Sequence, residues 1–233
     1  MLPAATARAQ SSLVGDLPAV AATYHEDPVR LDRLRRGLEE AVEADGRVEN
    51  FTALAQACFM WAEIRARSRD EKLEAYHCGR QAGERAVELA PQSVTARFWY
   101  ATNTARWGQV NGVVRSLFLL PAVREEIDTI LRLDPRFAPV YALAGNVDFE
   151  VPSVLGGSLE RAEAMFRKGI EIDPRFTVVR VGLAKVLIKL GRTDDARREL
   201  HAVLDEKQPT IPSDWAMKDT RVARNLLASM AGR

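Results

Sequence analysis

Apolar residues along this chain recur at the three- and four-residue spacing of α-helices, and the alternating pattern of strands is scarce. Leu31, Leu34, Leu38 and Val42, for example, share one face of a helix predicted between residues 27 and 46. Pro and Gly cluster at intervals that suit helix ends. The pattern predicts an all-α protein of about ten to twelve helices.

The same pattern predicts the other elements in chain order. They are helices over 48–67, 69–89 and 93–108, a loop over 109–121 ("QVNGVVRSLFLLP"), helices over 122–133 and 137–150, an inserted turn over 151–157 ("VPSVLGG"), the remaining helices of two further pairs, and a capping helix over 211–230. No stretch is long, polar and rich in Gly, Ser or Pro, so no linker divides the chain. We therefore predict a disordered segment over residues 1–14 and a single helical domain over residues 15–233.

A loosely kept repeat occupies the second half of the chain. Its two clearest copies are Ala162, Phe166, Gly169 and Pro174, and then Gly191, Ala196 and Leu200. A period of about 34 residues with small residues at fixed helical offsets is the signature of paired antiparallel helices. Because each pair has an apolar face that it cannot bury alone, the pairs stack into a solenoid. Units are longer before about residue 135, so the solenoid should be irregular there.

These residues resemble the tetratricopeptide repeat (TPR), which places large, small and aromatic residues in a set order before a closing proline. The matching positions are Tyr141, Gly145, Gly157, Ala162, Phe166 and Pro174, and then Ala184, Leu187, Gly191, Ala196 and Leu200. The resemblance implies a TPR-like α-solenoid of stacked antiparallel helix pairs.

The wider layout, from about Cys78 to Leu204, resembles the T component of TPR-associated TRAP transporters (TatT-like). The shared features are "AVELAPQSVTARFWYATNTARWG" and a "P-x-x-x-GG" turn ahead of a TPR helix. This resemblance implies a non-enzymatic periplasmic accessory protein that contacts a solute-binding subunit. The alternative is a generic cytoplasmic TPR scaffold that mediates protein–protein interaction.

The repeat register also predicts a partner-binding groove, lined by the first helix of each pair. The candidate residues are Phe98, Trp99, Thr102, Arg106, Trp107, Asn146, Phe149, Glu150, Lys185 and Lys189. This mixture of aromatic, amide and oppositely charged side chains suits an extended protein segment, and Trp and Tyr favour binding hot spots. The alternative is that the aromatic residues only fill gaps between irregular helices. The insertions should rim the groove, where Leu117, Phe118 and Leu119 roof a small-molecule pocket or contact another protein or a second copy.

Composition narrows the function further. Lys plus Arg (33) nearly balances Asp plus Glu (32), which gives no electrostatic reason to expect nucleic acid. No apolar run approaches the roughly 18–20 residues of a membrane-spanning helix. The three histidines are scattered, and no nucleotide-binding or catalytic spacing is present, so we predict no catalytic residues, no cofactor and no metal.

Cys58 and Cys78 lie equally far from a turn predicted at Ser68-Arg69, so they should face each other across two antiparallel helices. They form either a disulfide or two buried thiols that act as small apolar residues. A zinc site with His77 would have only three ligands, where structural zinc has four. Gly79 and Gly83 share a helix face and should permit close packing against a bulky neighbour such as Trp61.

The first residues leave the compartment open. Ala7-Arg8-Ala9 matches the pattern that signal peptidase recognises, although the stretch before it is too short for an apolar core. The segment is either Ala-rich disorder or the end of a longer secretory leader. We expect a periplasmic or secreted protein, with a cytoplasmic location as the alternative.

Overall fold

The computed structural model describes the backbone of residues 4–231 and the side chains of residues 13–230. The described part contains eleven helices: α1 (Ala4–Thr23), α2 (Arg30–Ala44), α3 (Val48–Ile64), α4 (Arg69–Leu89), α5 (Val94–Asn111), α6 (Val113–Leu133), α7 (Ala138–Glu150), α8 (Leu159–Ile172), α9 (Thr177–Lys189), α10 (Thr193–Asp205) and α11 (Thr220–Ala231). A short 3-10 helix, Ser153–Leu155, follows α7. A helical turn, Pro212–Asp214, and a π-helical turn, Trp215–Asp219, lead into α11. The all-α prediction is confirmed.

The chain divides into two compact units, residues 1–134 and 135–233, whereas the sequence predicted a single domain over 15–233. The boundary falls at Pro135, close to the point where the sequence pattern changes from longer to more regular repeat units. The first unit also includes α1, which starts at Ala4 inside the segment predicted to be disordered. Leu17 and Val20 of α1 are buried, so this helix has an apolar side that its neighbours cover. Residues 1–3 of that segment lie outside the described residues.

Within each unit, consecutive helices pack against each other as antiparallel pairs, and helices two apart in the chain also touch. Contacts of the second kind join α1 to α3, α3 to α5, and α7 to α9. The amphipathic pattern explains the pairing, since Leu31, Leu34 and Leu38 are all buried on one side of α2. This is the TPR-like arrangement that the sequence predicted. None of the described helices combines the length and hydropathy needed to cross a membrane.

The loop predicted over residues 109–121 is wrong, because this segment is almost entirely helical. Helix α5 continues to Asn111 and α6 begins at Val113, so Gly112 alone makes the break. Its φ of 115° lies in the region that glycine adopts at little cost, which explains how a single residue can end one helix and start the next. Pro121, which ends the predicted loop, is exposed inside α6. A proline within a helix leaves one carbonyl oxygen of the preceding turn without its N–H donor.

In the second unit, the ring of Phe166 on α8 lies between two glycines on neighbouring helices. A Cβ atom added at Gly145 of α7 would lie 2.7 Å from this ring, and one added at Gly182 of α9 would lie 2.3 Å from it. Phe166 is 1% exposed and belongs to a core that continues through Leu183 and Leu187. The absence of two side chains therefore makes room for one large apolar ring.

In the first unit, Gly79 and Gly83 of α4 provide the close approach that the sequence predicted, but their neighbours differ from the predicted Trp61. A Cβ atom at Gly79 would lie 2.3 Å from the Asn103 amide, and one at Gly83 would lie 2.7 Å from the Tyr100 backbone. Asn103 is fully buried, and its Nδ2 donates to the carbonyl oxygens of Ala55 and Trp99 at 3.0 and 2.8 Å. A polar amide thus ties α5 to α3 at the point where α4 comes closest.

We predict that Gly182→Ala destabilises the protein by about 1–3 kcal/mol, because the new methyl group overlaps the Phe166 ring. Gly15→Ala is the matched control, since Gly15 is exposed inside α1 and has no atom within 4 Å of an added Cβ. The control should be neutral or stabilising by up to about 1 kcal/mol. Urea unfolding followed by circular dichroism measures both variants, and equal stability of the two would contradict the packing role of Gly182.

Candidate functional site

Five of the ten candidate groove residues lie in the second unit, on α7 and α9, which contact each other. We call this surface the α7–α9 face, and its members are Asn146, Phe149, Glu150, Lys185 and Lys189. Phe149 is half-buried against the core, and Nζ of Lys189 lies 4.1 Å from the centre of its ring. Glu150 and Lys189 are exposed, while Asn146 and Lys185 are half-buried. The structure therefore brings an aromatic ring and a cation together on two first helices.

A buried carboxyl group that the sequence did not predict lies beside α9. Asp219 of the π-helical turn is 4% exposed, and it accepts a hydrogen bond of 2.6 Å from Oγ1 of Thr177. Burial raises the pKa of Asp219 to about 6, against the opposing effects of Thr177, Lys218 and Lys185. Neither Asp219 nor Thr177 stands in a motif, so only the packing of α9 on this turn reveals the pair.

The inserted turn after α7 is shaped by its two glycines. Gly156 has a φ of 89°, and a Cβ atom at Gly157 would lie 1.8 Å from the carbonyl oxygen of Val151, so no larger residue fits there. Arg161 of α8 closes the turn through an ion pair of 2.7 Å with Asp148 of α7. Val154, at the outside of the turn, is 88% exposed.

The other five candidates lie in the first unit, all on α5, and their contacts are mostly internal. Trp99 packs against Phe59 of α3 with ring centres 5.5 Å apart, and Phe98 meets Trp99 edge-on at 4.9 Å. The Trp107 ring contacts His77 and Arg80 of α4 and Arg115 of α6, at 5.5–5.7 Å from its centre. These contacts are what the gap-filling alternative predicts for the two tryptophans.

Thr102 and Arg106 also differ from the prediction of an open groove wall. Thr102 is only 8% exposed, because α5 is covered on that side by its neighbours. Arg106 forms an ion pair of 2.9 Å with Glu63 of α3, and Glu63 in turn accepts a hydrogen bond from the Tyr76 hydroxyl. Burial raises the pKa of Tyr76, which keeps this hydroxyl a donor. The Arg106 guanidinium therefore forms a contact within the first unit. The convergence of all ten candidates on one wall stays a prediction.

Cys58 of α3 and Cys78 of α4 face each other, as their equal distance from the turn predicted. Their Sγ atoms lie 2.9 Å apart as two free thiols, with Cys58 fully buried and Cys78 partly exposed. The third nearby group is Glu39 of α2, and one ligand atom from each of the three residues lies within 4.8 Å of the others. The His77 ring instead contacts Trp107, so the zinc alternative with His77 is wrong. A disulfide between the two cysteines stays a prediction.

Paired helices with glycines at their closest contacts define a TPR-like helical repeat protein, and TPR domains mediate protein–protein interactions. Residues 155–218 match the tetratricopeptide repeat family. Residues 21–155 match the model described as regulator of microtubule dynamics protein 1-3. Because this match covers more than half of the chain, the protein belongs to that family. Both families are typically non-catalytic.

Solved structures with low sequence identity share the fold. A thermophilic TPR protein from Thermus thermophilus is 17% identical, covers 95% of this chain and 99% of its own, and has a TM-score of 0.70. PilF of Pseudomonas aeruginosa is 12% identical, covers 97% of this chain and 92% of its own, and has a TM-score of 0.57. No curated protein sequence matches the chain significantly. At these identities the likeness shows the fold alone.

The raised pKa of Asp219 predicts a specific pH dependence of stability. The folded state keeps the Asp219 proton up to about pH 6, whereas an ordinary Asp carboxyl loses it near 3.8. The preference of the folded state for the protonated Asp219 carboxyl therefore stabilises the protein fully below about pH 4, and this stabilisation is lost as the pH rises through about 6. Asp219→Asn should not show this loss. Between pH 4 and pH 7, the free energy of unfolding of the variant should therefore rise by on the order of 2 kcal/mol relative to that of wild type.

Urea unfolding across this pH range measures the effect. The control is Asp194→Asn, since the Asp194 side chain is 86% exposed and should follow the wild-type profile. A difference between Asp219→Asn and wild type that does not change with pH would contradict the assignment.

Proposed function

We propose that this protein is a non-enzymatic adaptor that binds a protein segment on the α7–α9 face. The observation that carries the proposal is the pairing of Phe149 with Lys189 on two adjacent first helices. Phe149 offers apolar area next to a cation that can accept an acidic or polar group from a partner. Glu150 at the end of α7 adds an exposed negative charge, so the surface suits a segment of mixed charge better than a polyanion.

The helices that carry this face are closely packed against each other. Phe166, held between Gly145 and Gly182, fixes the distance between α7 and α9. Lys185 extends the same side of α9, and its charge acts on the buried Asp219 behind it. A surface built on rigid helices loses little conformational freedom when a partner binds, which favours affinity.

The finer proposal is that the adaptor is periplasmic and serves a TRAP-type transporter by contacting its solute-binding subunit. This assignment rests on the sequence resemblance, above all on the "P-x-x-x-GG" turn with Gly156 and Gly157. The family match supports a second class of partner, since its description names regulators of microtubule dynamics. A cytoplasmic scaffold that binds a cytoskeletal protein is therefore the alternative.

Location separates these alternatives. For a periplasmic adaptor we expect the native gene product in the periplasmic fraction, and its gene beside genes for a solute-binding protein and a TRAP permease. Recovery with the cytoplasmic fraction, together with unrelated neighbouring genes, would contradict the transporter assignment and leave the adaptor function to be judged by the binding test below.

We predict that a photo-reactive amino acid at position 150, in place of Glu150, captures a partner protein in the native cells. The matched control carries the same amino acid in place of His201, which is exposed on α10, a second helix. The yield of crosslinked adduct should be at least about tenfold lower at position 201 than at position 150, because first helices line the binding surface. Mass spectrometry of the adduct identifies the partner as a solute-binding protein or a cytoskeletal one. Equal labelling at both positions, or none at position 150, would overturn the α7–α9 face as a binding surface.

A further inference from the structure

A cluster of reactive groups in the first unit has no part in the proposed adaptor surface. Cys58 and Cys78 face each other across the α3–α4 hairpin, with 2.9 Å between their Sγ atoms. Cys58 is fully buried, whereas Cys78 is partly exposed and is the more accessible residue of the two. The two sulfurs therefore differ in access although they are in contact.

A fixed positive charge lies beside both sulfurs. Arg35 of α2 interacts electrostatically with Cys58 and with Cys78. Its guanidinium is held in place by a 2.8 Å contact with Glu39, a 3.3 Å contact with Glu74 and stacking over the Trp61 ring at 4.7 Å. A cation held next to a thiol favours the thiolate, which is the nucleophilic form of cysteine.

The environment divides the two sulfurs into unequal roles. The hydrogen bond with Cys58 and the charge of Arg35 lower the pKa of Cys78, against burial and the negative charges of Glu39 and Glu74. Sγ of Cys78 also lies 3.9 Å from Oε1 of Glu39. Burial raises the pKa of Cys58, so Cys58 remains a thiol, which can donate a hydrogen bond to the neighbouring sulfur. This is the division between an attacking and a resolving cysteine.

We propose that Cys78 and Cys58 form a redox-active dithiol, in which Cys78 attacks a low-molecular-weight disulfide such as oxidised glutathione and Cys58 resolves the product. In the first step the Cys78 thiolate bonds to one sulfur of the small disulfide, and the other sulfur leaves as a thiolate. In the second step Cys58 gives its proton to solvent and attacks Sγ of Cys78, which releases the second small thiolate. The protein loses two electrons and two protons, and the small disulfide is reduced to two thiols.

The geometry favours this reaction over a metal site. Two sulfurs 2.9 Å apart are in direct contact, which is the arrangement that disulfide formation requires. Glu39, the remaining ligand of the cluster, already accepts a hydrogen bond from Arg35. Structural zinc takes four ligands, and the cluster offers three.

Oxidation would join α3 to α4 covalently across about 20 residues and stabilise the hairpin by restricting the unfolded chain.

The experiment is clean because Cys58 and Cys78 are the only two cysteines of the chain. Purified, reduced protein is incubated with oxidised glutathione, and thiols are counted after denaturation while intact mass is recorded. Wild type should lose both thiols, and its mass should fall by that of two hydrogen atoms with no glutathione attached. Its melting temperature should rise by about 5–10 °C. Cys58→Ser should stop at one stable glutathione adduct on Cys78. Cys78→Ser should stay unmodified, since its remaining thiol is buried.

Two further measurements test the assigned roles. Arg35→Gln should slow alkylation of Cys78 by iodoacetamide near pH 7 by about three- to tenfold and shift its pH profile upward, whereas a purely structural role would leave the profile in place. Circular dichroism of each variant verifies that it is folded. The proposal is overturned if wild type keeps both thiols, if Cys78→Ser forms the adduct faster than Cys58→Ser, or if reduced protein binds Co²⁺ with a thiolate charge-transfer band that needs both cysteines. The last outcome would assign the cluster to metal binding.

Discussion

The ring of Phe166 sets the geometry on which the second unit depends, because it fills the space between α7 and α9 from the helix that connects them. Gly145 and Gly182 have no side chains where this ring lies, and a Cβ atom at either position would overlap it. With methyl groups at those sites α8 would have to move outward, and the two first helices would separate. The contact between Phe149 and Lys189 exists because α7 and α9 are held this close. The candidate binding face is thus a consequence of two absent side chains in the core.

The first unit solves the same packing problem with a polar group. Asn103 occupies the space that Gly79 leaves, and its amide donates to carbonyl oxygens of α3 and α5. A buried amide requires partners in fixed directions, so it specifies how α3, α4 and α5 stack more strictly than an apolar ring does. The same stacking keeps α4 against α3 and so places Cys78 opposite Cys58.

Several of these features could be predicted from the sequence because they follow from periodicity. Positions equally distant from a helical turn must meet, which brings Cys58 to Cys78, and glycines on one helix face mark a close contact. Partner choice could not be predicted in this way. The guanidinium of Arg106 meets Glu63, and Gly79 meets Asn103 rather than Trp61, since both depend on how a third helix lies across the pair. The loop expected before Pro121 failed for a local reason, because Gly112 alone makes the turn.

Asp219 shows why a functional account of such a protein needs both charge and packing. The carboxyl group is buried by the turn that leads into α11, and its hydrogen-bond donor, Thr177, stands 42 residues earlier. This separation hides the pair in the sequence. The charge of Asp219 nevertheless interacts with Lys185 on the candidate binding face. When Asp219 is ionised, its negative charge lies close to the positive charge of Lys185 and adds to the exposed negative charge of Glu150. The balance of charge on the α7–α9 face therefore depends on a group that a partner cannot touch, because the fold places that group directly behind the first helix that the partner would contact.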